Sequence, residues 1–188
     1  MSKAVFLDRD GTINVDRAYL SKIEDFEYIP GAVEGLRILQ EAGFTLIITT
    51  NQSGIARGYY SEEDFLELNN WMLSDLKKKG IKIAKVYYCP HHPNGKIEKY
   101  KMDCTCRKPK LGMYEKAIEA FDIDLSLSFA IGDKIRDSAI CEKTACRGYL
   151  ISTLEEKDII DGVNNGKYRN IKYAEDLLAA AKKIVGGN

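Results

Sequence analysis

At 188 residues, 45% hydrophobic and 30% charged, the chain is long enough to close one hydrophobic core, and 1–188 is expected to form a single domain. No apolar run approaches the roughly 18 residues that span a bilayer, and no basic stretch leading into an apolar one marks the N-terminus for export; a membrane partner is not expected, and the cytoplasm is the expected location. Lys plus Arg and Asp plus Glu each number 28, so the formal charge is zero and the chain carries no bulk electrostatic footprint for nucleic acid.

The first apolar run, Ala4-Val5-Phe6-Leu7, has the continuous hydrophobicity of a parallel strand covered on both faces, and it ends in Asp8-Arg9-Asp10-Gly11-Thr12. Carboxyl ends of such strands open into the crevice where α/β sheets bind ligands. Strand side chains alternate, so Asp8 and Asp10 can serve one site, Gly11 permits a sharp turn, and Thr12 can cap the segment after it. Standing alone, a D-x-D pair would more readily be a turn or a helix cap. A loop-rich flap is expected over residues 13–29. Pro30-Gly31 then opens a helix with Val33, Leu36, Leu39 and Ala42 on one face, stopped by Gly43.

A second strand runs from Thr45 to Thr50, and Ser61-Glu62-Glu63-Asp64 offers a capping box for a longer helix carrying Phe65, Leu68, Trp71, Met72 and Leu76. Further strands are predicted at Ala84–Tyr88, Phe129–Ile131 and Gly148–Ile151, and helices at Leu111–Phe121 and Ala174–Val185. This alternation is the signature of a doubly wound parallel α/β sheet. Neither the flap nor the loop after the third strand is long enough for a separate cap domain. No long apolar edge or heptad seam appears, so a monomer is expected.

The loop after the third strand concentrates metal-binding chemistry. Cys89-Pro90-His91-His92 and Cys104-Thr105-Cys106 supply three thiols and an imidazole, a set suited to tetrahedral zinc, with a redox pair or plain reduced cysteines as the alternatives. Spacing does not choose between His91 and His92. Four protein ligands would leave no open position, making such a zinc structural, and clamping Cys106 would fix the adjacent Arg107 and Lys108. Cys141 and Cys146 have no partner motif and are expected to pack in the core.

Taken in order, D-x-D-G-T at Asp8–Thr12, Thr50 closing the second strand, Lys108 before Pro109, and Asp133 closing the fourth strand with Asp137 beyond it resemble the haloacid dehalogenase superfamily of phosphatases. The resemblance implies a Rossmann-like fold and an Mg²⁺-dependent reaction. Asp8 is then the nucleophile that forms an aspartyl-phosphate, and Asp10 the general acid and base. Thr50 and Lys108 hold the transferring phosphoryl group. The Asp8 and Asp133 carboxylates with the Asp10 main-chain carbonyl bind the metal, Asp137 bracing it from behind.

Within that superfamily the stretches Phe6–Asp16, Thr50–Gly58, Tyr87–Pro93, Cys104–Pro109 and Gly132–Lys134 look most like the D-glycero-D-manno-heptose 1,7-bisphosphate phosphatases. The family pattern assigns His91 to the zinc and leaves His92 to the loop surface. It implies removal of the C7 phosphate from a phosphosugar in the supply of activated heptose for lipopolysaccharide or S-layer glycan. Asn51, Arg57, Arg107 and Lys134 are the expected substrate-binding residues, with Arg57 and Arg107 on the retained phosphate. Lys134 and Arg136 are otherwise as compatible with solvated surface. Two competitors are a histidinol-phosphate phosphatase, whose zinc loop is usually shorter, and a non-enzymatic phosphosugar or nucleic-acid binder. The latter has no chemical need of Asp8 beside Asp10.

Overall fold

The computed structural model describes residues 1–151 and 157–187. Its strands are β1 (Ala4–Leu7), β2 (Thr45–Asn51), β3 (Ile83–Cys89), β4 (Phe129–Gly132), β5 (Arg147–Ile151) and β6 (Ile171–Ala174), in one sheet of order β3-β2-β1-β4-β5-β6. All five pairings are parallel. The helices are α1 (Ala32–Glu41), α2 (Ser53–Arg57), α3 (Glu62–Lys78), α4 (Gly112–Phe121), α5 (Ala139–Lys143), α6 (Lys157–Asn164) and α7 (Leu177–Gly186). The sheet is doubly wound. After β3 the chain crosses to the other side of β1, so connections leave the ends of β1 and β4 in opposite directions and open the crevice there. Among the described residues no separate cap domain interrupts the sheet.

Alternation along β1 divides the core. Val5 and Leu7 join Leu36, Leu39, Met72, Leu177 and Ala180 on one face, whereas Ala4 and Phe6 join Tyr114, Ala117 and Ile140 on the other. All four β1 side chains are buried, each large one contributing about 1.5–3 kcal/mol. The α3 capping box forms as the sequence predicts. Asp64 N–H donates to Ser61 Oγ at 3.0 Å and Ser61 N–H to Asp64 Oδ2 at 2.7 Å, an arrangement contributing about 1 kcal/mol.

The structure departs from expectation in three stretches of the chain: after β2, beyond Ile151, and in the flap. The one-turn helix α2 follows β2 directly. Beyond Ile151 lies a helix, α6, and then an edge strand, β6, that takes in Ala174; the closing helix therefore starts later, at Leu177, where Asp176 accepts from Ala179 N–H at 2.7 Å. The flap is also more ordered than a bare loop. Val15 N–H donates to Glu27 O, Ile29 N–H to Ile13 O, and Phe26 packs edge-on against Trp71 of α3.

Candidate active site

Register aligns the carboxyl ends of three strands. Leu7 pairs with Ile48 of β2 and Ile131 of β4, and Asp8 N–H still donates to Ile131 O at 3.0 Å, so Asp8, Thr50 and Asp133 emerge side by side. They line a cavity of about 380 Å³, together with Asp10, Asn51, Gln52, Arg57, Arg107, Lys134, Arg136 and Asp137, under the flap residues Asp16 and Tyr19. Gly11, at φ +80°, is required here because a Cβ would lie 2.5 Å from Asp133 Oδ2.

Lys108 is the cationic hub. Its buried ammonium donates to Asp8 Oδ1 at 2.9 Å and Thr49 O at 2.7 Å, and lies 2.7 Å from Asp137 Oδ1. Burial opposes its charge, but Asp137 and Asp8 outweigh burial and hold its pKa above the usual lysine value. Asn51 fixes this lysine from behind, its Oδ1 accepting from Lys108 N–H at 3.0 Å and its Nδ2 donating to Lys108 O at 3.1 Å. An amide bonded at both ends is placed to position Lys108. Asp137 is braced in turn, with Oδ2 accepting from Lys134 N–H at 2.9 Å.

Burial, with Asp137, Asp133 and Asp10 nearby, pushes the Asp8 carboxyl up to about 7 against the charge of Lys108. Burial and Asp137 likewise raise Asp133 to about 6, although Lys134 Nζ lies 3.3 Å from its Oδ2. Carboxylate oxygens of Asp8, Asp133 and Asp137 lie within 4.8 Å of one another. This all-oxygen cluster holds more negative charge than Lys108 neutralises, so it fits a hard divalent cation such as Mg²⁺.

The linkage has a definite sign. A carboxyl raised above its ordinary 3.8 stabilises the fold at low pH and loses that contribution as pH rises through the folded value, about 6 for Asp133 and 7 for Asp8. A cation binding the ionised pair reverses the loss. Thermal denaturation should therefore show Mg²⁺ raising Tm more at pH 8 than at pH 5; equal shifts would contradict this charge assignment.

Asp10 shares the cavity with Asp8 but not its partners. The buried Arg9 guanidinium grips its carboxylate through Nε and Nη2, the shortest contact being 2.8 Å, while Asn14 Nδ2 donates to Oδ1 at 3.0 Å and Gln52 Nε2 to Oδ2 at 2.9 Å. Burial alone would raise the Asp10 pKa, yet the Arg9 charge and these bonds hold it below the usual carboxylate value. Thr12, expected as a cap, instead buries its hydroxyl without a hydrogen bond.

The cysteine loop assembles at the cavity rim. Sγ of Cys106 lies 3.1 Å from those of both Cys89 and Cys104 and 3.4 Å from His91 Nδ1, and the four ligand atoms sit within 4.8 Å of one another. Hydrogen bonding to Cys89 lowers the Cys106 thiol to about 5, so one thiolate is already favoured. Three soft sulfurs and one imidazole, converging as a set of four, fit zinc. His92 is not a free surface residue. Its Nε2 lies 3.0 Å from Arg57 Nη2, and Asn94 N–H donates to its Nδ1 at 3.0 Å. The loop thus engages both predicted phosphate-binding arginines. Arg107 Nη1 reaches His91 O at 3.4 Å, and burial with the nearby Arg136 and Arg57 charges lowers the Arg107 pKa. Like charges gathered in this way favour an anion. Cys141 and Cys146 are buried core residues, as expected.

Comparison with known proteins agrees with this geometry. The family model for polynucleotide kinase 3 phosphatase matches residues 3–159. The D-glycero-beta-D-manno-heptose-1,7-bisphosphate 7-phosphatase of Pasteurella multocida is 51% identical over 187 residues, covering 100% of this chain and 98% of its own. The chain belongs to the heptose-1,7-bisphosphate 7-phosphatase family of the haloacid dehalogenase superfamily. The alpha-anomer 7-phosphatase of Photorhabdus laumondii, also a member, is 45% identical over 152 residues, 80% of this chain and 83% of its own. A crystal structure of D,D-heptose 1,7-bisphosphate phosphatase from B. bronchiseptica with magnesium and phosphate superposes with a TM-score of 0.83 at 29% identity, covering 99% of both chains. Membership in the family makes this chain a phosphatase. No helix among the described residues is long and apolar enough to cross a membrane.

Sequence reasoning gave no role to Arg9, Asn14 or Tyr60, and Gln52 appeared only as part of a motif. Strand alternation places Arg9 opposite the two aspartates, where a charged residue would be expected in solvent, yet it is 1% exposed. A charged residue in the middle of D-x-D was the available signal.

Proposed function

We propose that this chain removes the C7 phosphate of D-glycero-β-D-manno-heptose 1,7-bisphosphate, leaving the C1 phosphate in place. The observation that carries this reading is one cavity with two unlike ends: Asp8, Thr50 and Asp133 at the strand ends, with Lys108 donating to Asp8, and Arg57, Arg107 and Arg136 at the rim. A monophosphate needs only the first end. The Pasteurella relative's full-length similarity favours the β anomer.

An Asp8 oxygen attacks phosphorus as the bond to the C7 oxygen breaks, and Asp10 protonates the departing oxygen. Water then attacks the aspartyl-phosphate, Asp10 takes its proton, and Asp8 is released with inorganic phosphate. Lys108 balances charge at Asp8 and the phosphoryl group, and the Thr50 hydroxyl holds a phosphoryl oxygen. The Arg9 clamp favours the carboxylate form of Asp10, which suits the base half; an arriving phosphate dianion offsets Arg9 and shifts Asp10 towards the protonated form the acid half needs. Asp8, Asp133 and the Asp10 carbonyl would hold Mg²⁺, which would supply charge neutralisation for the encounter of carboxylate and phosphate. Asp137 positions Lys108 and braces this site. Cys89, His91, Cys104 and Cys106 would hold zinc, which would fix the loop that carries Arg107 and the His92 that meets Arg57 at the retained-phosphate end.

Arg107→Ala should raise KM for the bisphosphate about tenfold or more, the scale of a lost charged hydrogen bond, and should weaken the preference over sugar monophosphates. Unchanged KM and unchanged preference would remove Arg107 from the substrate site. Lys134 is proposed as a weaker substrate contact, since it already leans on Asp133.

A further inference from the structure

The side chain that ties the two halves of the chemistry together is Gln52, 2% exposed at the start of α2. Its Nε2 donates to Asp10 Oδ2 at 2.9 Å and to Thr50 Oγ1 at 2.8 Å. Its Oε1 accepts from Tyr60 O–H at 2.6 Å. An amide has one donating and one accepting end; the Asp10 carboxylate, which only accepts, fixes the donating end towards the cavity, and the Tyr60 hydroxyl holds the other. Tyr60 is itself held by close approach to α2, where a Cβ on Gly54 would lie 2.1 Å from its ring.

We infer that Gln52 is a positioning residue, locked by Tyr60, that sets the distance between the carboxylate which protonates the leaving oxygen and the hydroxyl which holds the phosphoryl group. One NH₂ group bonded to both allows neither to move independently of the other. The inference rests on the reading of Asp10 as acid and Thr50 as phosphoryl anchor given above. When the ester is an alkyl phosphate, the P–O bond breaks towards an oxygen that must receive the Asp10 proton. When the ester is p-nitrophenyl phosphate, the electron pair leaves on a stable phenolate and no proton is needed. A misplaced Asp10 therefore penalises the sugar phosphate selectively, whereas a general loss of fold, or of the Thr50 contact alone, penalises both.

The test measures kcat/KM, which reports formation of the aspartyl-phosphate and not its hydrolysis, for heptose 1,7-bisphosphate and for p-nitrophenyl phosphate. The proteins compared are the natural protein, Gln52→Met, Tyr60→Phe and Asp10→Asn. Gln52→Met should lose about 100-fold on the sugar phosphate, at the low end of general acid catalysis, and roughly tenfold less than that on the aryl ester. Tyr60→Phe should shift the ratio in the same direction by less. Should Gln52→Met fail to fold, the Tyr60→Phe ratio decides. Proportionate losses on both esters, with Asp10→Asn still discriminating between them, would overturn the role of Gln52 alone. Proportionate losses in Asp10→Asn as well would overturn the acid role of Asp10, and the inference with it.

Discussion

Lys108→Met should both destabilise the metal-free protein by about 3–5 kcal/mol and lower kcat by about a thousandfold. The first figure is the cost of leaving buried carboxylates without their partner. Lys108 Nζ lies within 2.9 Å of Asp8 Oδ1 and 2.7 Å of Asp137 Oδ1, so its removal strands two acids in a cluster where Asp8 and Asp133 already resist ionising. The second figure is the scale of losing one preorganised charged donor to a phosphoryl transition state. The two effects separate with metal. Mg²⁺ should restore much of the stability, because it supplies positive charge to the same carboxylates, but it should not restore turnover. Urea unfolding with and without Mg²⁺, beside kcat, checks both. A metal-free variant as stable as the natural protein would show that Lys108 is not the counter-charge.

Cys104→Ser should abolish zinc binding by the proposed loop site and cut kcat/KM for the bisphosphate by about 10–100-fold, while p-nitrophenyl phosphate turnover falls much less. The effect is positional. Cys89 closes β3 and is buried, whereas Cys104 and Cys106 lie on the loop beyond it, whose main chain is tied near them by Gly112 N–H donating to Thr105 O and, past Arg107, by Asn51 bonding to Lys108. Freeing Cys104 loosens Arg107 and, through His92, Arg57, which together form the retained-phosphate end. Structural zinc in small domains contributes about 10 kcal/mol or more to folding, but here the sheet carries the core and the loss stays local. Metal content and the two kcat/KM values are the readouts. Equal losses on both substrates would place the loop's role at the reacting centre instead.

The main strands and their terminal residues were readable because both signals were local: continuous apolar runs ending in charged or hydroxylated side chains. Phe129–Ile131 and Ala4–Leu7 were found almost to the residue for that reason. The edge strand β6 was not, since Ile171-Lys172-Tyr173-Ala174 is short, half-polar and runs into apolar residues that continue a helix pattern; only the Asp176 cap marks the break. The helix α2 is one turn long and contains a glycine, too little for periodicity to register. At the site, the residues with chemistry of their own were legible. Of those that act by holding others, Asp137 was expected to brace the metal site, but Arg9 and Gln52 were given no such part. Asn51, expected at the substrate site, also bonds the Lys108 main chain through its amide, and His92, expected as a loop or solvent residue, lies on the loop against Arg57. Such roles depend on partners far apart in the chain, which spacing does not encode.

The most direct test of the proposed activity is phosphate release, with Mg²⁺ present, from the two anomers of heptose 1,7-bisphosphate and from histidinol phosphate, each compared by kcat/KM with Asp8→Asn as the control. The expected result is preference for the β-anomer, retention of the C1 phosphate in the product, and no turnover by Asp8→Asn. Preference for histidinol phosphate, or release of both sugar phosphates at similar rates, would contradict the assignment of the arginine rim to a retained phosphate.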